Sequence, residues 1–252
     1  MSIFQPIQFI ASDDEANLTQ HGLNTFEALW ELEIPNVDNP NTKRGGWSTV
    51  GYVTIGGKGY YLKKQQNYFT RVLRAPWGEL RAKHEFRYIQ YYMKRDIPTM
   101  TVAFFAEKAE NGNKKAILLT NELIGWQDLD SFLLQWQSIH EARQTAVLNA
   151  CAILAKKLHD NKFIHRCFYP KHVFLRSLND SFETCLIDLE KTRFFLLREY
   201  GYLRDLYNFR ERTKPYWSTD EFSMFLSAYL QKTPKSPAVQ LLFTKVEHYH
   251  KK

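Results

Sequence analysis

The sequence has few cysteines and no long apolar run. Its 252 residues include only Cys151, Cys167 and Cys185, which are too few and too scattered for a disulfide framework or a zinc cluster. No stretch approaches the roughly 18 apolar residues that a membrane-spanning helix needs. The N-terminal residues lack the basic start and apolar segment of a signal peptide. These absences predict a soluble, cytosolic protein.

Repeats, low-complexity segments and Gly/Ser-rich or Pro-rich linkers are also missing. Hydrophobic residues make up 44% of the chain and aromatic residues 15%, a composition that excludes intrinsic disorder. The 34 Lys and Arg exceed the 27 Asp and Glu, which gives a net charge of +7. This excess suggests nucleotide phosphates, nucleic acid or an anionic membrane face as partner, but it is also common in proteins without a polyanionic partner.

The first half of the chain alternates between β and helical patterns. Residues 1–44 are polar and mixed, with one apolar patch at Phe26, Leu29 and Trp30 that predicts a short helix. Two β-rich runs within residues 45–66 flank a glycine-rich turn and predict a hairpin. Residues 79–95 have helical spacing, and a second hairpin follows with its turn at 111–113. The apolar face expected on that helix comprises Leu80, Phe86, Ile89 and Met93.

The second half is mostly helical, with one embedded hairpin. Residues 127–137 predict a short helix, and 141–160 predict a long helix with an apolar stripe. A turn at 179–181 predicts a hairpin before further helices. The stripe comprises Val147, Cys151, Leu154 and Leu158. This order predicts an α+β fold with two lobes that divide near residues 122–125.

Lys63 and Glu85 are the first candidate pair for chemistry. Lys63 ends the run Tyr60-Tyr61-Leu62-Lys63, and a strand lysine there can reach nucleotide phosphates. Glu85 lies in the middle of the 79–95 helix, from where it could hold that amine in place. The neighbouring Lys64 points to the opposite face of the strand. Alone, each would be read as an ordinary exposed side chain.

The segment His165-Arg166-Cys167-Phe168-Tyr169-Pro170-Lys171-His172 follows the long helix, as the H-R-D-x-x-x-x-N loop does in protein kinases. The spacing puts Cys167 at the catalytic-base position and His172 at the second-metal position. A buried structural Cys and His is the alternative. Asp188 ends an apolar β-run 21 residues after Cys167, where a Mg²⁺-binding carboxylate is expected.

Taken together, these residues resemble the InaA-type branch of the lipopolysaccharide kinase (Kdo kinase/WaaP) family. The resemblance covers about residues 45–229, and H-R-C-F-Y-P-K-H followed by I-D-L-E-K is its most specific part. It implies a two-lobed protein-kinase-like fold with a small antiparallel sheet and one helix in the N-lobe. It divides the chain into an N-terminal extension packed on the kinase-like domain (1–44), an N-lobe (45–123) and a helical C-lobe (124–252).

The resemblance also implies ATP and Mg²⁺ as cofactors and a sugar or glycolipid acceptor at the inner membrane surface of a bacterium. Lys63 would bind the α/β-phosphates and pair with Glu85, while Asp188 and His172 would bind the metal. Glu122 and Leu123 belong to the segment that would lie beside adenine. Asp205 would brace the catalytic loop, although a surface helix aspartate is the alternative.

Two departures from the family pattern affect this interpretation. The sugar kinases carry aspartate where this chain has Cys167, so Cys167, with His165, Arg166 and the alternative base Glu190, forms the expected catalytic group. The phosphate-covering loop lacks G-x-G-x-x-G, which leaves the amides around Ser48 and Thr49 as candidates.

Three function classes therefore stay open. The first is a phosphotransferase that acts on a lipopolysaccharide-core type of acceptor. The second is a pseudokinase that serves as a nucleotide-binding or scaffold module in a stress response. The third is a basic nucleic-acid-binding protein, for which residues 71–87 are the best stretch. Those residues could instead face a phosphorylated lipid. The third class leaves the I-D-L-E-K segment unexplained.

Overall fold

The computed structural model describes residues 8–42, 45–72, 75–195 and 198–249. The chain separates into two compact units, Met1–Tyr91 with Met100–Leu123 and Tyr92–Thr99 with Ile124–Lys252. Helices and antiparallel strands occur in both units, so the predicted α+β class is confirmed.

The first unit is built on a five-stranded antiparallel sheet with the strand order β1-β6-β7-β3-β2. Its elements are β1 (Gln8–Ile10), α1 (Ser12–Gln20), α2 (Phe26–Glu31), β2 (Trp47–Ile55), β3 (Lys58–Gln66), β4 (Phe69–Val72), β5 (Ala75–Leu80), α3 (Arg81–Met93), β6 (Val102–Glu110) and β7 (Asn113–Asn121). The short helix predicted around Phe26 and both predicted hairpins, β2–β3 and β6–β7, are confirmed.

A buried polar network ties the N-terminal helix α1 to this sheet. Asp14 on α1 is fully buried and accepts hydrogen bonds from the Tyr60 hydroxyl at 2.9 Å and from Lys58 Nζ at 2.5 Å. Its second oxygen accepts from Asn121 Nδ2 at 3.1 Å. A buried carboxylate is stable only with such partners, so α1 is an integral layer of the first unit.

Helix α3 carries Glu85 and begins at Arg81, two residues later than the pattern predicts. Ile89 and Tyr88 are buried as part of its inner face, but Met93 is exposed, so its place on the predicted apolar face is wrong. The helix ends before Asp96-Ile97-Pro98, as predicted. Asp96 has a positive φ of 53°, a conformation that cannot continue a helix.

The second unit contains α-helices, a three-stranded sheet (β11-β10-β8) and a two-stranded one (β12-β9). Its elements are β8 (Gln127–Asp128), α4 (Leu129–Leu133), α5 (Glu141–Asp160), β9 (Phe163–Ile164), β10 (Val173–Leu178), β11 (Ser181–Leu186), β12 (Arg193–Phe194), α6 (Arg198–Thr213), α7 (Thr219–Leu230) and α8 (Pro237–Glu247).

Helix α5 has the predicted bounds, and all four residues of its apolar stripe are buried. The short helix predicted over 127–137 is present but shorter, at Leu129–Leu133, because Asp128 ends β8 and caps α4 by accepting a hydrogen bond from the Ser131 amide. A separate 3-10 turn follows at Trp136–Ser138. The β10–β11 hairpin is confirmed. The loop between β9 and β10 carries residues 165–172, and the segment between β11 and β12 carries Asp188.

Candidate active site

The first unit contains an ion pair between the half-buried Lys63 on β3 and the buried Glu85 on α3. Lys63 Nζ lies 2.5 Å from Glu85 Oε2, and Glu85 is only 2% exposed. Lys64 faces the other side of the sheet, where its ammonium donates at 2.6 Å to the carbonyls of Trp30 and Leu32. Burial lowers the pKa of Lys64, which Glu33 partly opposes. Strand alternation therefore leaves Lys63 as the lysine held by the helix carboxylate.

In the segment predicted to cover phosphates, close packing leaves no room for a side chain at two of the glycines. A Cβ at Gly46 would lie 2.3 Å from the Asn67 carbonyl carbon, and one at Gly51 would lie 2.5 Å from the Ile34 side chain. The Ser48 amide donates to the Asn41 carbonyl at 2.9 Å. Thr49 pairs with Lys64 in the register, and paired residues share a face. Phosphate binding by Ser48 and Thr49 stays a prediction without a supporting contact.

Glu122 and Leu123 follow directly after β7, at the end of the first unit. The Glu122 amide donates to the Gly59 carbonyl at 3.0 Å, and its carboxylate accepts from the Tyr52 hydroxyl at 3.0 Å. These bonds fix the start of the connecting segment. The placement of adenine beside these residues stays a prediction.

In the second unit, Asp205 on α6 braces the His165-Arg166 backbone. Its two oxygens accept hydrogen bonds from the amides of His165 at 2.6 Å and Arg166 at 2.7 Å, and Asp205 is fully buried. The predicted bracing contact is therefore present, and the alternative of a surface aspartate is wrong. The Arg166 backbone has a φ of 67°, a conformation that costs about 1–3 kcal/mol in a residue with a side chain.

His165 connects this loop to the Asp188 segment. Its Nε2 donates to the Ile187 carbonyl at 2.9 Å, because a carbonyl can only accept. Its Nδ1 is buried and has no hydrogen-bond partner in the described residues. Burial, opposed by Asp205 and Asp188, lowers the pKa of His165. A neutral imidazole thus positions the backbone next to Asp188, which has a φ of 58°.

Cys167, at the expected base position, is buried at 4% exposure. Its Sγ lies 3.4 Å from the Nζ of Lys191. Burial raises the pKa of the Cys167 thiol, Lys191 works to lower it, and Asp188 raises it further; a hydrogen bond involving Tyr169 also lowers it. Because the net shift is upward, the thiol is protonated at neutral pH. Cys167 in this state is a weak proton acceptor.

His172 and Asp188 form the candidate cation site. His172 Nδ1 donates to the Cys167 carbonyl at 2.8 Å, and its Nε2 lies 3.4 Å from Asp188 Oδ2. Burial lowers the pKa of His172 to about 4, against the opposing effect of Asp188. The imidazole is therefore neutral at neutral pH, and its Nε2 lone pair faces a carboxylate oxygen. Two electron-pair donors in this arrangement fit a cation.

The donor set suits a metal that is completed by other ligands. Within the parts of the chain that the structure describes, no three or more His, Cys, Asp or Glu side chains converge as a metal cage. Mg²⁺ is usually held by one or two carboxylates, with phosphate oxygens and water completing its shell. Asp188 fits that pattern, whereas an imidazole such as His172 is a softer ligand that also suits Mn²⁺.

Lys191 is a site residue that the sequence reasoning quoted within its motif but assigned no role. It lies in the 3-10 turn Leu189–Lys191, together with Glu190. Burial works to lower the pKa of Lys191, but Cys167, Glu190 and Asp188 together outweigh it and the pKa is raised, so the amine is charged. The sequence offered one signal for a role of Lys191 in the site, its position three residues after Asp188. Glu190 is half-buried in the same turn, and its service as an alternative base stays a prediction.

The chain has a kinase-like fold. The solved structure "WaaP in complex with acyl carrier protein" superposes with a TM-score of 0.72 over 96% of this chain and 98% of that chain, at 18% identity. Protein InaA of Escherichia coli (strain K12) is 26% identical over 197 residues, which cover 75% of this chain and 88% of InaA.

The sequence model of the lipopolysaccharide kinase (Kdo/WaaP) family matches residues 27–229. The chain belongs to this family, and the resemblance seen in the sequence is confirmed. Membership in this family supports the prediction that the protein is a kinase. No helix in the described part of the chain is long and apolar enough to cross a membrane.

Proposed function

We propose that this protein transfers the γ-phosphoryl group of ATP, with a divalent cation, to a hydroxyl of a sugar in a lipopolysaccharide-core type of glycolipid. The observation that carries the proposal is the ion pair that Lys63 forms with the buried Glu85. Desolvation makes a buried ion pair little better for stability than apolar residues of the same size. Its presence at this point of a kinase-family chain is therefore best explained by nucleotide binding.

Each unit supplies its own part of the chemistry. In the first, Lys63 would bind the α/β-phosphates, with backbone amides around Ser48 and Thr49 near the phosphates and Glu122 and Leu123 near adenine. In the second, Asp188 and His172 would hold the cation. A bound divalent cation neutralises charge on the phosphate oxygens.

In the transfer step, the acceptor oxygen bonds to the γ-phosphorus and the bond from that phosphorus to the β–γ bridging oxygen breaks. ADP leaves, and the acceptor hydroxyl loses its proton to a base. Cys167 stands at the base position, and Glu190 is the alternative. Because the transition state is loose, positioning and charge stabilisation contribute more than the base. A weak base therefore slows transfer and leaves nucleotide binding intact.

The direct test is transfer of label from γ-labelled ATP to purified core oligosaccharide that contains heptose and Kdo. We expect labelled acceptor in the presence of Mg²⁺, and loss of labelling in Lys63→Met. Labelled acceptor at an equal rate with Lys63→Met would contradict the assignment of Lys63. The proposal also places the protein on the cytoplasmic side of the inner membrane in a lipopolysaccharide-bearing bacterium.

One observation favours a second candidate, a pseudokinase that binds nucleotide without turnover. The Cys167 thiol has a raised pKa and occupies the position where the sugar kinases carry aspartate. ATP binding without transfer to any core sugar would support this candidate against the first. Labelled acceptor would exclude it.

A further inference from the structure

Two arginines of the second unit have no acidic partner. Arg204 on α6 is half-buried, and its Nε is buried without a hydrogen-bond partner in the described residues. Arg166, in the loop of residues 165–172, is also half-buried, and its guanidinium forms no hydrogen bond or ion pair within the described ranges. By contrast, Arg210 on the same helix donates to Glu247 at 2.8 Å. Guanidinium groups withdrawn from water normally have an acceptor, so this pair is unusual.

The two arginines lie close enough for their charges to interact. Burial lowers the pKa of Arg166, and the charge of Arg204 lowers it further, against the opposing effects of Cys167 and Asp205. Asp205 is not an acceptor for either guanidinium, because its hydrogen bonds join it to two backbone amides and to a histidine ring. Two like charges that are partly out of water repel each other and are stabilised by a bound anion.

The arginine pair lies beside the candidate base. Arg166 precedes Cys167 in the chain and interacts with it electrostatically. Lys191 Nζ lies 3.4 Å from Cys167 Sγ and adds a third positive charge at this point. An acceptor hydroxyl that gives its proton to Cys167 would therefore have positive groups around it. A guanidinium binds a carboxylate or a phosphate through two parallel hydrogen bonds.

We propose that Arg166 and Arg204 together bind an anionic oxygen group of the acceptor, a carboxylate or a phosphate, next to Cys167. The unpartnered Nε of Arg204 and the missing acidic partner of both side chains carry this assignment. That the anion belongs to the acceptor rests on the proposed function, whereas the binding of an anion does not. The site favours a sugar that carries an oxyanion near its reacting hydroxyl over a neutral sugar.

The test is the affinity of the full chain for three small sugars, measured by NMR titration without ATP. Mannose 6-phosphate supplies a phosphate, Kdo supplies a carboxylate, and methyl mannoside is neutral. We expect the neutral sugar to bind about tenfold more weakly than the anionic ones, because hydrogen bonds to charged groups are strong. Binding of one anionic sugar alone would assign the site to that oxyanion. Equal affinity for all three sugars, or binding of none, would overturn the proposal.

Variants connect the anion to the arginine pair. Arg204→Gln should lower the affinity for the anionic sugars by about tenfold. Arg204→Lys should lower it less, because lysine keeps the charge but loses the planar fork of donors. The matched control is Arg176→Gln, since Arg176 is exposed and donates to Glu183 at 2.7 Å; it should leave the affinity unchanged. Unchanged affinity in Arg204→Gln would overturn the proposal.

A second readout separates anion binding from a structural role. Removal of one of two like charges should leave the melting temperature of ligand-free Arg204→Gln equal to or above that of the wild type, and mannose 6-phosphate should raise that of the wild type more. A lower melting temperature with unchanged sugar affinity would make Arg204 a structural residue and overturn the proposal. So would sugar binding that appears only in Glu199→Gln, because a carboxylate of this chain would then fill the site. Failure of phosphoryl transfer would not alter these binding results.

Discussion

Cys167 lies at the position that the proposed function assigns to the base, in surroundings that make it a weak proton acceptor. Burial raises the pKa of its thiol, and Lys191 at 3.4 Å only partly reverses the shift. The spacing of the loop predicted the position of Cys167, but neither its burial nor the approach of Lys191 follows from local sequence. Both depend on how the segment after β11 packs against the loop of residues 165–172.

Replacing Cys167 with aspartate should speed transfer. A carboxylate at this position accepts a proton far more readily at neutral pH than the buried thiol, and a general base contributes about 10²–10⁴-fold. We expect Cys167→Asp to transfer label to core oligosaccharide at least on the order of 10²-fold faster. The matched control, Cys167→Ser, should be no faster than the wild type. An unchanged rate in Cys167→Asp would instead indicate another base, and Glu190→Gln would then reduce it.

The pH dependence of thiol alkylation tests the electrostatics of the same position. Since the thiolate reacts and its pKa is raised, iodoacetamide should label Cys167 slowly at neutral pH and faster as pH rises. Lys191 lowers that pKa, so Lys191→Met should raise it and shift the rate profile to higher pH. The experiment is done in a protein that carries both Cys151→Ser and Cys185→Ser, so that Cys167 is the cysteine that can be labelled. Unchanged profiles would show that Lys191 does not act on the thiol.

The loop of residues 165–172 and the segment after β11 each contain one residue with a positive φ angle. These residues are Arg166 and Asp188. The Asp205 carboxylate accepts hydrogen bonds from the His165 and Arg166 amides, and His165 Nε2 donates to the Ile187 carbonyl beside Asp188. The identity of the loop could be predicted from H-R-C-F-Y-P-K-H. Its conformation could not, because the partner that fixes it comes from α6, 39 residues further along the chain.

Asp205→Asn should destabilise this loop. One amide donor of the backbone would face an NH₂ group, and a buried unsatisfied donor costs about 1–3 kcal/mol. We expect the free energy of unfolding in urea to fall by about that amount, with ATP affinity reduced less than transfer. Asp160→Asn, at an exposed helix end, is the control and should be neutral. Equal stability of Asp205→Asn and the wild type would show that the bracing bonds are not energetically important.

At the scale of elements, periodic segments were predictable and isolated ones were not. Helix α5 and the three hairpins follow from an apolar stripe and from glycine or asparagine turns. The hairpin β4–β5 was missed because Leu73-Arg74-Ala75-Pro76 carries no glycine turn and its basic residues merge with those of the helix. Strand β1 was missed because three residues are too few to show alternation.

At the scale of the whole molecule, family membership and two side-chain pairs support the proposed nucleotide chemistry. The Lys63–Glu85 pair lies in the first unit, and the His172–Asp188 pair lies in the second. Both pairs join residues more than ten positions apart, so spacing suggested them and only the fold brought them within contact. The net charge of +7 alone would have supported three kinds of partner.

Calorimetry of ATP binding with and without Mg²⁺ tests the central claim most directly. We expect affinity in the micromolar range with Mg²⁺ and much weaker binding without it. Asp188→Ala should lose the metal-dependent part while its melting temperature stays close to that of the wild type. No heat under either condition would contradict a nucleotide site and leave a kinase fold retained for its surfaces. Normal Mg²⁺-dependent binding by Asp188→Ala would contradict the assignment of the metal.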